Sequence, residues 1–217
     1  MPNPFWPFFD LRIRTPRLEL RIPRDDELIE VAAVAAAGVH AEDFMPFTVP
    51  WTERPSPELE RSLFQWHWRC RGECRPERWR LTFAVYERGR AIGAQDVHAD
   101  DFANVRTVAT GSWLGREHQG RGNGKEMRAA VLHLAFTGLG ALLAQSSAFA
   151  DNAASIGVSR AVGYVLDGEE LMARRGGASR HLRFRLERDE WERRRRDDIV
   201  LEGVEPCLPL LGAGPLD

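Results

Sequence analysis

The chain has 217 residues and a mass of 24.6 kDa, with 43% hydrophobic and 29% charged residues, which suits one globular domain spanning 1–217 with a full core. Its 30 basic residues nearly balance 32 acidic ones for a formal charge of −2, so no global field draws nucleic acid or an anionic membrane, and any anion must be held locally. Cys70, Cys74 and Cys207 form an odd, sparse set that excludes a disulfide framework and fits a reducing, cytoplasmic setting.

The apolar opening Met1-Pro2-Asn3-Pro4-Phe5-Trp6-Pro7-Phe8-Phe9 lacks a basic leader and a small-residue cleavage site, so it does not read as an export signal. No stretch approaches the roughly 20 apolar residues that a bilayer crossing needs. Residues 11–14 and 18–22 alternate apolar with charged side chains around Thr15-Pro16, the period of a half-buried strand pair. Asp25-Asp26 can cap a helix carrying Leu28, Ile29, Val31, Ala32, Ala35 and Ala36 and ending near Gly38. From Asp43 to Pro57 four prolines and the string Met45-Pro46-Phe47-Thr48-Val49-Pro50-Trp51-Thr52 indicate a loop, with Phe47 and Trp51 as candidate substrate contacts. A helix after Ser56 presents Leu59, Leu63, Phe64, Trp66 and Trp68. Strands are expected at 81–86, 91–98 and 105–114, joined by turns at Arg88-Gly89-Arg90 and Asp100-Asp101. A glycine-rich loop, an amphipathic helix ended by Gly138 and Gly140, a strand at 142–149, a helix at 153–162 and a strand at 181–186 complete the order. Strands alternating with helices in this half indicate an α/β layer, and no domain linker interrupts the chain.

His118-Gln119-Gly120-Arg121-Gly122-Asn123-Gly124-Lys125 sets three glycines at alternate positions between a predicted strand and a predicted helix. Glycine lets the backbone turn tightly and approach an anion, and the helix start supplies free N–H groups and a positive dipole end. A nucleotide P-loop is excluded, since only three residues separate Gly120 from Gly124 and Glu126 follows Lys125. A dinucleotide fingerprint would need its last glycine one place later and an acid about 20 residues on. An empty glycine turn stays as the plain alternative.

The second motif is Asp151-Asn152-Ala153-Ala154-Ser155 at the exit of the next strand, followed one helix length later by Gly163-Tyr164. Together, Gln119-x-x-Gly122-x-Gly124, Asn152-x-x-Ser155 and Gly163-Tyr164 resemble the GNAT superfamily of acyl-CoA-dependent N-acyltransferases. Thr15-Pro16-Arg17-Leu18-Glu19-Leu20-Arg21 is similar to the first strand of its branch of ribosomal-protein alanine acetyltransferases (RimJ/RimL-type), so the resemblance covers about 11–187 and leaves 188–217 as an extension. The string 45–52, with Gly111-Ser112-Trp113-Leu114-Gly115, resembles an actinobacterial subgroup that includes succinyl-CoA users.

The resemblance implies an α/β fold with a mixed, mostly antiparallel sheet of six to seven strands flanked by helices, in which two splayed strands admit the acyl-CoA. It implies acetyl-CoA or succinyl-CoA as co-substrate, held by Gln119, Gly120, Arg121, Gly122, Asn123, Gly124 and Lys125, with Trp113 and Leu114 lining the gap and Asn152 touching the pantetheine arm. The amine, on a small molecule or a protein N-terminus, would attack directly, with a backbone N–H near Leu114 polarising the thioester carbonyl. Ser155 would donate to the departing thiolate, Ser159 standing where many members carry a tyrosine. Asn152 or Ser155 could instead only cap the helix. A non-catalytic CoA sensor on the same scaffold is the alternative function.

For the base, Asp96, His98 and Asp100 alternate along one strand and so share a face, and His98 is the candidate chosen. His67, Cys70 and Cys74 have helical metal spacing but no fourth ligand, and no metal is expected. The basic run 193–196 is bounded by acids and suits a solvated helix, so nucleic-acid binding is not expected. Arg174, Arg175 and Arg180, around Gly176-Gly177, suggest a basic hairpin or loop. The apolar segments at Phe5, Trp6, Phe8, Phe9 and 204–211 need burial, on their own domain or in a homo-oligomer.

Overall fold

The computed structural model describes residues 3–214, so Met1 and Pro2 of the opening string lie outside the described residues. The alternating stretches near the start become β1 (Arg12–Arg14) and β2 (Leu18–Arg21), paired antiparallel with Ile13 opposite Leu20. The helix α1 (Glu27–Ala36) follows, but neither aspartate caps it: Asp26 is itself helical, and Asp25 accepts from Arg71 and Trp68. Glu27 reaches back to the Arg24 N–H at 2.8 Å instead, one half of a capping box. The second helix, α2 (Glu58–Gly72), buries Leu59, Leu63, His67 and Cys70.

Three long strands come next: β3 (Arg78–Glu87), β4 (Arg90–Asp100) and β5 (Thr107–Leu114). Val105 was expected to open the last of them, yet it ends a short helical turn, α3 (Phe102–Val105), bounded by the left-handed residues Asp101 and Arg106. Phe102 explains that turn, because its ring is fully buried against Trp79. Helix α4 (Asn123–His133) runs on through a π-turn at Leu134–Gly138 into β6 (Leu143–Phe149), and α5 (Ala153–Ala161) leads to the hairpin β7 (Val165–Arg174) and β8 (Gly177–Glu187). The extension adds α6 (Arg188–Glu192), β9 (Val200–Glu202) and a 3-10 segment at Glu205–Leu211. The basic run 193–196 lies just past α6 and is neutralised by Glu190, Asp197 and Asp198.

The nine strands of the described residues form one sheet in the order β7-β8-β6-β5-β4-β3-β2-β1-β9, two or three more strands than the sequence implied. The β5–β6 pair is parallel and every other pair antiparallel. Alternation along β3 divides the core: Leu81, Phe83 and Val85 pack with α4, while Ala84 and Tyr86 pack with α1 and α2. The apolar ends pack on their own chain, with Phe8, Cys207 and Leu211 fully buried, while Phe5 is 88% exposed. No helix of the described residues is long and apolar enough to cross a membrane.

Candidate functional site

The central feature is a parting of the sheet. Strands β5 and β6 pair only from Thr107 opposite Leu143 to Ala109 opposite Gln145, after which Gly111 to Leu114 keep their β4 partners and Ser146 to Phe149 keep their β8 partners. Backbone N–H and C=O groups on the facing edges are thereby open to an extended ligand, as an edge strand's are.

The loop beyond β5 closes the mouth of this gap. Gly120 and Gly122 have φ of +73° and +83°, and Gly122 precedes α4 without a side-chain cap. The N–H groups of Gly120, Arg121, Gly122, Asn123 and Gly124 meet no acceptor among the described residues. Five free donors at a helix start, beside the exposed Arg121 and Lys125, make a cradle for a diphosphate-sized anion. Gln119 is not part of that donor array. Its amide donates to the carbonyls of Leu114 and Val39 at 2.8 and 2.7 Å and so ties the loop to β5. Asn123 is buried and donates to the His118 carbonyl. A Cβ on Gly124 would lie 3.2 Å from Val158, so this glycine serves the packing of α4 on α5 as much as the cradle.

Glu126, in the first turn of α4, places a carboxylate near the cradle, and the Thr15-Pro16-Arg17 turn compensates it. The Thr15 hydroxyl donates to it at 2.6 Å and the Arg17 Nε at 2.7 Å, while a second Arg17 nitrogen holds the Arg121 carbonyl at 3.1 Å. Burial pushes the Glu126 carboxyl up, but these hydrogen bonds outweigh it and hold the group below its ordinary value.

Across the gap, Asn152 caps α5, its Oδ1 accepting from the Ser155 N–H at 3.1 Å. Of the two candidates for that task Asn152 performs it, and the Ser155 hydroxyl has no partner among the described residues. Ser159 is 1% exposed and its hydroxyl has no partner among the described residues, so it faces the core.

Trp113 and Leu114, adjacent on β5, face opposite ways. Leu114 is buried towards α4, whereas Trp113 lies 5.6 Å from Trp51, which lies 5.3 Å from Phe47. The loop carrying Phe47 and Trp51 is held by the β7–β8 hairpin. Arg174 binds Asp151 at 2.6 and 2.8 Å and the Met45 carbonyl at 3.3 Å, and Arg175 binds Glu53 and the Glu42 carbonyl. On the same face as Trp113, His98 Nδ1 lies 2.9 Å from Asp96, which also takes Arg80 at 2.8 Å. Burial pushes the Asp96 carboxyl up, yet the His98 hydrogen bond and the Arg80 charge hold it below the usual range. Gly111 stands opposite Asp96, and any Cβ there would sit 2.7 Å from the carboxylate. Asp100 is separate from this group, exposed and paired with Arg78.

One polar cluster was not anticipated. Arg128 is 3% exposed and donates to Ser146 on β6 at 2.9 Å and to Ser112 on β5 at 3.1 Å, spanning the two strands where they part. The hydroxyls of Thr110 and Tyr164 meet nearby at 3.2 Å. The available signal was Arg128 standing four residues after Gly124 on one helix face, with serines on both flanking strands.

Residues 17–165 match the model of the acetyltransferase (GNAT) domain, and the chain belongs to that family. Among solved structures its fold is similar to Mycobacterium smegmatis RimJ in complex with CoA-disulfide, at 21% identity and TM-score 0.71, covering 85% of this chain and 90% of that one. It is also similar to RimL, a ribosomal L7/L12 alpha-N-protein acetyltransferase in complex with coenzyme A, at 17% identity and TM-score 0.64, covering 81% and 97%. A GCN5-related N-acetyltransferase from Brucella melitensis is similar at 18% identity and TM-score 0.66, covering 83% and 80%.

Proposed function

We infer that this protein is an acyl-CoA-dependent N-acyltransferase that moves an acetyl or succinyl group to a primary amine of a small molecule or a protein N-terminus. The observation that carries this reading is the run of five unpaired N–H groups from Gly120 to Gly124 at the mouth of the β5–β6 parting. Acyl-CoA would supply the acyl group and a thiolate leaving group. The loop with Arg121 and Lys125 suits its pyrophosphate, and the open edge of β5 from Gly111 to Leu114 suits its pantetheine amides. Neighbours solved in complex with CoA support the same assignment.

On the opposite face, Phe47, Trp51 and Trp113 would pack the acceptor's apolar part. His98, oriented by Asp96, would take the amine proton directly or through water, and a backbone N–H near Leu114 would polarise the carbonyl. Ser155, free of capping, would hydrogen-bond the departing sulfur. The ribosomal-protein acetyltransferases among the neighbours favour a peptide amine. The exposed edge strand β7, with Val165, Leu166 and Leu171, offers a surface for a homo-oligomer, and sedimentation showing only monomer at micromolar concentration would exclude one. A cytoplasmic setting matches three cysteines that are all free thiols.

Thiol release from acetyl-CoA and succinyl-CoA against a panel of peptide and small-molecule amines is the test. Amine-dependent release supports the enzyme. Tight CoA binding without release across the panel would establish the non-catalytic sensor instead.

A further inference from the structure

Arg128 is a permanent cation in the interior, and no carboxylate stands within ion-pairing distance of it among the described residues. Burying a charge without an ion-paired counter-charge is unfavourable, and an arriving anion relieves that cost. It hydrogen-bonds the two serine oxygens and lies against the Tyr164 hydroxyl, and its Nε is buried with no partner among the described residues. A guanidinium only donates, so Ser112 and Ser146 accept from it, and each hydroxyl hydrogen must point elsewhere. Neither serine hydroxyl has an acceptor among the described residues. The cluster is therefore two polarised O–H donors backed by a buried cation that forms no ion pair among the described residues, the nearest acid to feel its charge being Asp96 on the other face of the strands.

Position decides which anion it meets. Gly124, one helical turn and about 6 Å earlier on α4, lies beside Leu114 at the mouth of the gap, so Arg128 marks its inner end, just past the last β5–β6 pair. A free anion would stop at the cradle, whereas a group at the tip of an extended arm reaches the inner end. On the other face of the same strands Asp96 stands at Gly111 and disfavours a second carboxylate there.

We propose that Arg128, with Ser112 and Ser146, is a donor-specificity site that selects CoA thioesters whose acyl chain ends in a carboxylate, the short dicarboxylic mono-thioesters, over neutral ones. This rests on the reading of the gap as the acyl-CoA site. The test titrates the wild-type chain by calorimetry with free CoA, acetyl-CoA, propionyl-CoA, succinyl-CoA and glutaryl-CoA, and repeats it for Arg128→Met, Arg128→Lys and Ser146→Ala. The wild type should prefer the carboxylated donors, and Arg128→Met should weaken them about thirtyfold or more while free CoA and acetyl-CoA change little. Arg128→Lys should recover only part, because an ammonium cannot span both serines. Ser146→Ala keeps the charge and supplies a milder arm if Arg128→Met fails to fold, with the same donor-selective loss expected.

Equal affinity of the wild type for neutral and carboxylated donors overturns the proposal and leaves the acyltransferase reading intact. A parallel loss for every donor in the variants overturns it in favour of a purely architectural arginine. No binding of any CoA species overturns both. Mass spectrometry of thioester copurifying with the wild type gives an independent readout: a dicarboxylic acyl-CoA supports the site, and acetyl-CoA alone opposes it.

Discussion

Glu126 is a buried acid in the first turn of α4, beside the proposed pyrophosphate cradle, and Thr15 and Arg17 meet it with hydrogen bonds. Its lowered value means that this stability is present above the unfolded carboxylate value, about 4.3, and is lost as pH falls through the folded value. Arg17→Ala should therefore cost about 1–3 kcal/mol at neutral pH and flatten the acid limb of a urea-stability profile below about pH 5. A loss that is constant with pH would contradict this linkage. The capping pair separates in the same manner. Asn152→Ala should cost about 1 kcal/mol of stability, whereas Ser155→Ala should stay within about 0.5 kcal/mol of wild type yet slow thiol release about a hundredfold. Equal kinetic effects of the two variants would remove Ser155 from the chemistry. At this scale the tight turn at Gly120 and Gly122 was legible, and the cap by Asn152 was one of the two readings open for it, because both features are local in sequence. Arg128 was not: hydropathy assigns an arginine to solvent, and the serines that it bonds stand on two strands distant in sequence.

Among elements, the β7–β8 hairpin acts on a loop more than 120 residues away in sequence, through Arg174 to Met45 and Arg175 to Glu42 and Glu53. Arg174→Ala should loosen the Phe47–Trp51 loop and raise KM for the amine about tenfold, about 1.4 kcal/mol, while leaving CoA affinity unchanged. A matching rise in the Kd for CoA would place the hairpin's role elsewhere. Strands β3 to β6 were readable from apolar runs and turn residues. β7 was missed because Val165 to Arg174 is an edge strand that is mostly exposed and carries no alternation to read. The aspartates before α1 misled for a related reason: an N-cap preference is local, and Asp25 is claimed by Arg71 and Trp68 on α2.

For the whole molecule, the segment after α6 completes the sheet and the core. β9 pairs with β1, Trp79 donates to the Leu211 carbonyl at 2.9 Å, and burial pushes the Cys207 thiol up to about 12. Its residues lie outside the family match, so its apolar content was visible in sequence but its destination was not. Deleting 204–214 should destabilise the chain by at least about 4 kcal/mol in urea unfolding, since it exposes the floor of the α4 layer. Unchanged stability would mean that the segment is an ornament on a complete domain. The most direct test of the central claim is calorimetric titration of CoA into wild type and Gly122→Glu, the variant folding like wild type by circular dichroism. Saturable binding by the wild type and none by the variant is the predicted result. No binding by wild type at millimolar CoA, or equal binding by both, would contradict the assignment of Gly120–Gly124 as the pyrophosphate cradle.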